Sequence, residues 1–103
     1  MIRVIYRWKI KSGQEDSFVK AWARTTQAIR VKMKGARGSV LLRSRLDPGE
    51  FVAVARWEGF EDWQAFRLGN PPDPEASRAM SLAGNLLSIE IFDEIQDLLD
   101  TGP

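Results

Sequence analysis

Residues 38–66 read GSVLLRSRLDPGEFVAVARWEGFEDWQAF, and this stretch decides the fold. Two apolar-rich runs, 39–46 and 50–57, flank Asp47-Pro48-Gly49. Proline presets the first central dihedral of a turn, and glycine accepts the positive φ that the second can require. The segment therefore predicts a β-hairpin. In the second run Phe51, Ala53, Ala55 and Trp57 fall on one face, and Val52, Val54 and Arg56 on the other. The two alanines leave room beside whatever packs there. Just beyond Trp57-Glu58 comes a short helix over about 61–68. Glu61 and Asp62 suit its positive N-terminal end, and it carries Trp63 and Phe66.

Upstream, residues 2–10 alternate. Ile2, Val4, Tyr6, Trp8 and Ile10 share one face, while Arg3, Ile5, Arg7 and Lys9 share the other. A period of two is a strand with one apolar face. Ser12-Gly13-Gln14-Glu15 has the spacing of a capping box, with Ser12 as N-cap. Phe18, Trp22, Thr26, Ile29 and Met33 then recur every three or four residues, which predicts a long amphipathic helix stopping near Gly35. Downstream, Gly69-Asn70-Pro71-Pro72 breaks the short helix. Asp73-Pro74 reads as N-cap and first residue of another helix, running to about Ala83 and closed by Gly84. Residues 86–95 alternate again, with Leu87, Ile89, Ile91 and Ile95 on one side. The order strand–helix–strand–strand–helices–strand is the split βαβ, ferredoxin-like arrangement. The fold class expected is α+β, with a four-stranded antiparallel sheet, helices on one face, and the fourth strand beside the first. The domain is expected over residues 1–96, with 97–103 as a C-terminal tail that frays at 101–103.

The chain has 103 residues, which suits one domain with a modest core. It contains no cysteine and no histidine. Disulfides are therefore excluded, as are the commonest metal ligand and the usual near-neutral general base. A Ser-His-Asp triad cannot form. The acids fall in surface-like patterns, so no metal is expected. The segment 35–38 lacks the spacing and the Lys-Ser/Thr of a phosphate loop. No apolar run is long enough to span a membrane and no signal-peptide core opens the chain, so a cytoplasmic location is expected.

Net charge is +1, yet the halves differ. Residues 1–46 hold 12 Lys or Arg against Glu15 and Asp16, a balance of +10; residues 47–103 hold Arg56, Arg67 and Arg78 against 12 acids, a balance of −9. A basic half alone suggests nucleic acid. A matching acidic half suggests instead that Arg3, Arg7 and Lys9 of the first strand meet Glu90, Asp93 and Glu94 of the fourth. No nucleic acid partner is expected. Residues 49–54 are weakly similar to the RNP1 strand of an RNA-recognition module. That strand needs aromatic residues at its exposed centre, where Ala53 and Val54 stand.

Several motifs carry a resemblance. They are Lys11-Ser12-Gly13-Gln14-Glu15 after the first strand, the Phe18/Trp22 helix, residues 38–44, and Arg56-Trp57-Glu58 leading to Trp63. Together they resemble the antibiotic biosynthesis monooxygenase (ABM) family up to about Ile95. The resemblance implies a dimeric α+β barrel, in which two sheets pack face to face, and a small pocket between sheet and helices in each protomer. Some members oxidise aromatic polyketides without metal or flavin; others degrade haem, isomerise lactones, or have no known activity. The haem-degrading branch uses an asparagine on the first strand, a tryptophan on the helix after the hairpin and a later histidine. Those positions correspond here to Tyr6, to Phe66 and to nothing, so haem oxygenation is not expected.

Tyr6, Trp8, Trp22, Trp63 and Phe66 are the candidate substrate-binding residues, with Met80 or Leu82 closing the site. Aromatic walls suit a flat polycyclic ligand. The same rings also suit plain core. Arg3, Arg7, Arg43, Arg45 and Arg56 could stabilise an anionic substrate, or could pair with Glu58, Glu90 or Glu94. The functional expectation is a cofactor-independent monooxygenase of a small aromatic or polycyclic substrate. The alternative is a non-catalytic dimeric ligand-binding or accessory protein of the same fold. Both are expected as homodimers through sheet-to-sheet packing, because apolar residues also point to the face without helices.

Overall fold

A computed structural model describes residues 1–99. The elements are β1 (Ile2–Ile10), α1 (Glu15–Lys32), β2 (Ala36–Arg43), β3 (Glu50–Trp57), α2 (Phe60–Leu68), α3 (Pro74–Ala83) and β4 (Gly84–Asp93). They form one antiparallel sheet of order β2-β3-β1-β4. This is the α+β, ferredoxin-like fold expected. The tail expected at 101–103 lies outside the described residues. Among the described residues, no helix is long and apolar enough to cross a membrane.

All three helices pack on one sheet face, in two clusters. At one end Ile10 and Phe51 from the sheet meet Phe18, Ala21, Met80 and Ala83. At the other, Ile2, Val4, Ala55 and Trp57 meet Trp63, with Ile29, Met33 and Phe66 packed alongside. The opposite face carries Ile5, Val52, Val54, Val40, Leu42 and Phe92. Its ends are tied by ion pairs. Arg3 Nε and Arg56 Nη2 reach the Glu94 carboxylate at 3.0 and 2.8 Å, and Arg7 Nε reaches Glu90 at 2.8 Å. Arg37 pairs with Glu58. The basic and acidic halves thus meet in part within the chain. Arg3 and Arg7 reach acids of β4 and of the residues just after it, as expected, whereas Lys9 pairs with Asp47 and Asp93 is in none of the ion pairs among the described residues.

Local expectations needed correction in four places. Ser12 does not cap α1. Gln14 N–H bonds the Lys11 carbonyl at 2.9 Å, Gly13 takes φ +82°, and the helix starts at Glu15 without a side-chain cap. A left-handed Gly13 makes a turn and cannot be a first helical residue. The hairpin turn does not use a positive φ at Gly49. Asp47 organises it instead: its carbonyl accepts from Glu50 N at 2.9 Å, its carboxylate accepts from Gly49 N at 3.2 Å, and it pairs with Lys9 Nζ at 3.0 Å. Asparagine and aspartate side chains close such turns themselves.

The first hairpin strand is β2 at Ala36–Arg43, three residues earlier than its pattern suggested. An irregularity between Ala36 and Ser39, with Gly38 at φ +93°, resets its register against β3. Likewise β4 ends at Asp93, so Ile95 is outside it. A register shift opposite Arg7 and Trp8 puts Leu86 across from Trp8 and leaves Leu87 out of the pairing. The other features hold: Asp73 caps α3 through Ala76 N at 3.1 Å, with Pro74 in the first turn.

Candidate active site

The site begins with the pattern of β3. Phe51 and Trp57 are bulky; Ala53 and Ala55 between them are not, and all four point to the helices. Phe18 fills the space at the Phe51 end, where its ring lies 5.1 Å from Trp8 and 5.7 Å from Phe51. Over the alanines nothing fills it, and a cavity of about 90 Å³ remains. One water needs about 10–15 Å³ of such space, so several waters or a small flat ring fit.

Tyr6 and Trp8 line the cavity from β1, Trp22 from α1 and Phe66 from α2. Phe66 stacks on Trp57 at 5.4 Å, with ring planes 26° apart, which fixes that wall. Met80 closes the cavity from α3; Leu82 is exposed and takes no part. Trp63 does not line the space. It is buried behind Tyr6, and its indole Nε1 donates to the Tyr6 hydroxyl oxygen at 2.8 Å. Four of the five candidate aromatics therefore surround one cavity, and the fifth positions one of the four.

Tyr6 is the chemically distinctive group. Burial pushes its phenol pKa above the ordinary 10.0, against the opposing pull of the Trp63 hydrogen bond and the positive charge of Arg67. It stays a neutral phenol at neutral pH. Its oxygen is occupied by Trp63, so its proton is left to donate. Other polar groups on the wall are Thr25, Thr26 and Arg30 from α1 and Ser39 from β2. No carboxylate lines the cavity among the described residues. Arg56 borders it, but its guanidinium is spent on Glu94. Arg3 and Arg7 are paired on the other face, and Arg43 lies over the Phe51 ring, bonded to the Pro48 carbonyl. Arg3, Arg7 and Arg56 are therefore engaged by acids, and Arg43 and Arg45 do not line the cavity. No group of three potential metal ligands occurs among the described residues.

Sequence reasoning missed Thr25, Arg30 and Arg67. The spacing of Trp22, Thr25, Thr26 and Ile29 is a helical i, i+3, i+4, i+7 row, so Thr25 was findable. The positions of Arg30 and Arg67 depend on where helix ends meet the sheet.

The sequence profile of antibiotic biosynthesis monooxygenases matches residues 1–70. No curated protein sequence matches the chain. Similar solved structures include SnoaB from Streptomyces nogalater, a cofactor-independent oxygenase, at 19% identity and TM-score 0.78; the match covers 96% of this chain and 97% of that one. A candidate antibiotic biosynthesis monooxygenase from Bordetella bronchiseptica is 18% identical with TM-score 0.79, covering 92% and 97%. Another from Deinococcus radiodurans is 16% identical with TM-score 0.76, covering 99% and 100%. At these identities the structures speak for the fold, and it is the profile, spanning about two-thirds of the sequence, that shows the family: the chain belongs to the antibiotic biosynthesis monooxygenases.

Proposed function

We propose that this protein is a cofactor-independent monooxygenase of a small, flat aromatic substrate, working as a homodimer in the cytoplasm. The observation that carries the reading is the hollow over Ala53 and Ala55, walled by Tyr6, Trp8, Trp22 and Phe66. A substrate with an acidic CH₂ between aryl rings supplies its own electrons as a carbanion. Dioxygen accepts them, one oxygen atom becomes the new carbonyl, and the other leaves as water with the two hydrogens. The chain's part is to bind, orient and exclude water. The Tyr6 hydroxyl, held neutral and aimed by Trp63, donates to the oxygen on which the carbanion's charge collects.

An anthrone under air tests this. Expected are saturable oxygen uptake and a product that has gained one oxygen and lost two hydrogens, with Tyr6→Phe slowing turnover more than it weakens binding. Saturable binding without oxygen uptake would sink the oxygenase reading. It would favour a second one, non-catalytic binding of the same ligand class, which the absence of a carboxylate from the cavity wall also supports.

The homodimer is supported by the helix-free sheet face. Val40, Leu42 and Phe92 are about half exposed there, beside Ile5, Val52 and Val54. An apolar strip bounded by ion pairs suits a second copy of the same sheet. Light scattering should give twice the chain mass, and Val54→Lys should return a folded monomer. A wild-type monomer at micromolar concentration would overturn it.

A further inference from the structure

The apolar cavity has a neighbour. A more open crevice of about 430 Å³ lies between α3, β4 and the outer side of Tyr6. The two spaces share Tyr6, Trp8, Thr25 and Met80, so only these side chains separate them. The character of the crevice is different. Its own lining brings Arg67, Ser77, Ser81 and Asn85, and no carboxylate among the described residues.

The uncommitted hydrogen-bonding groups converge on this shared wall. Thr25 Oγ1 is buried with no hydrogen-bond partner among the described residues. A buried hydroxyl left unpaired costs about 1–3 kcal/mol, so the position calls for a partner. Tyr6 receives a hydrogen bond from Trp63 and has its proton to give. Arg67 is exposed on α2, and its charge is felt at the Tyr6 hydroxyl. Of the 10 ion pairs among the described residues, none involves Arg67. The Thr25 hydroxyl and the Arg67 guanidinium beside an apolar slot, with no acid in the crevice lining among the described residues, form a complement to an oxyanion. Arg30 also makes no ion pair among the described residues and lies beside Gly38 at the opposite side of the cavity, but the hydroxyl it meets on β2, that of Ser39, is not among the buried unpaired ones, as Thr25 Oγ1 is.

We infer that the site takes an aromatic acid, with its ring in the apolar cavity and its carboxylate in the α3-side crevice, bound by Arg67 and Thr25, which leaves the Tyr6 proton to the reacting oxygen. This rests on the binding cavity proposed above and adds the chemical class and the orientation of the ligand. Met80 and Trp8, standing between the two spaces, would contact the bond that joins ring to carboxylate.

The test is quenching of Trp8 and Trp22 emission by 2-naphthoate and by its neutral isostere 2-naphthamide, at fixed ionic strength. Expected is tighter binding of the naphthoate, weakened about tenfold in Arg67→Gln while naphthamide binding is unchanged. Thr25→Val should weaken naphthoate binding several-fold with the melting temperature unchanged or raised, because the unpaired hydroxyl is gone. Equal affinity for acid and amide would overturn the carboxylate subsite and leave the cavity standing. Loss of the acid's preference in Arg30→Gln instead of Arg67→Gln would also overturn it, placing the charge at the other side. If neither compound binds, the cavity reading fails and the subsite fails with it.

Discussion

The two ends of the helix-covered sheet face share strands β1 and β3 and helix α1, with α3 added at one end and α2 at the other, yet one is solid and the other hollow. At the solid end Phe18 is fully buried and meets Trp8 and Phe51 at aromatic packing distances. At the hollow end, the equivalent depth over β3 is occupied by Ala53 and Ala55, and the rings of Trp22, Tyr6 and Phe66 stand around the gap. The difference teaches that the small alanine pair of β3, rather than the large aromatics, makes the room here. Aromatic residues supply walls; whether they enclose space depends on what lies between them.

The comparison can be broken most forcefully at the solid end. Phe18→Ala should cost about 3–5 kcal/mol in denaturant unfolding, since a packed ring is replaced by a void. A loss below about 1 kcal/mol would mean that this end is not the rigid half. Next is the junction between the halves. Tyr6→Phe keeps the ring but strands the buried Trp63 Nε1–H, and should cost about 1–3 kcal/mol. The double variant Tyr6→Phe/Trp63→Phe should recover part of that loss, because both partners are then apolar. At the hollow end the sign changes. Ala53→Val adds methyl groups where there is space, and should alter stability by less than about 1 kcal/mol while abolishing binding of a flat aromatic ligand. A marked destabilisation would show that the hollow closes in solution.

The smallest effect concerns the face opposite both ends. The hydrogen bond from Arg56, reinforced by Arg3, lowers the Glu94 carboxyl below the ordinary value of about 4.5. A carboxyl lowered on folding contributes stability that is fully present above its unfolded value and is lost as pH falls through the folded one. Glu94→Gln should therefore destabilise slightly at pH 7 and remove part of the acid-side decline below about pH 4.5, read from melts across that range. An unchanged acid limb would show that the pair is screened by solvent.

Much of this architecture was legible in the chain. The alternation of β1, the Asp73-Pro74 helix start and the bounds of β3 followed from local periodicity and capping, which need no knowledge of neighbours. So did the face shared by Tyr6 and Trp8, and the room left by Ala53 and Ala55. The errors came where two segments had to agree. Strand β2 took its register from an irregularity at Gly38, and β4 took its from the shift that excludes Leu87. Ser12 gave way to a Gly13 turn.

What the sequence determined by itself was the order of elements, the face on which each aromatic stands and the absence of histidine and cysteine chemistry, because periods of two and near four, and composition, are local properties. What only the tertiary structure decided was the division of labour among the aromatics. Trp63 lies three residues before Phe66 on one short helix, yet it ends buried, hydrogen-bonded to Tyr6, while Phe66 walls the cavity. Thr25 is hydroxyl-bearing in any fold, but that its Oγ1 is buried without a partner among the described residues follows from where α1 sets it against its neighbours. Such outcomes depend on crossing positions between helices and sheet, and no single segment encodes them.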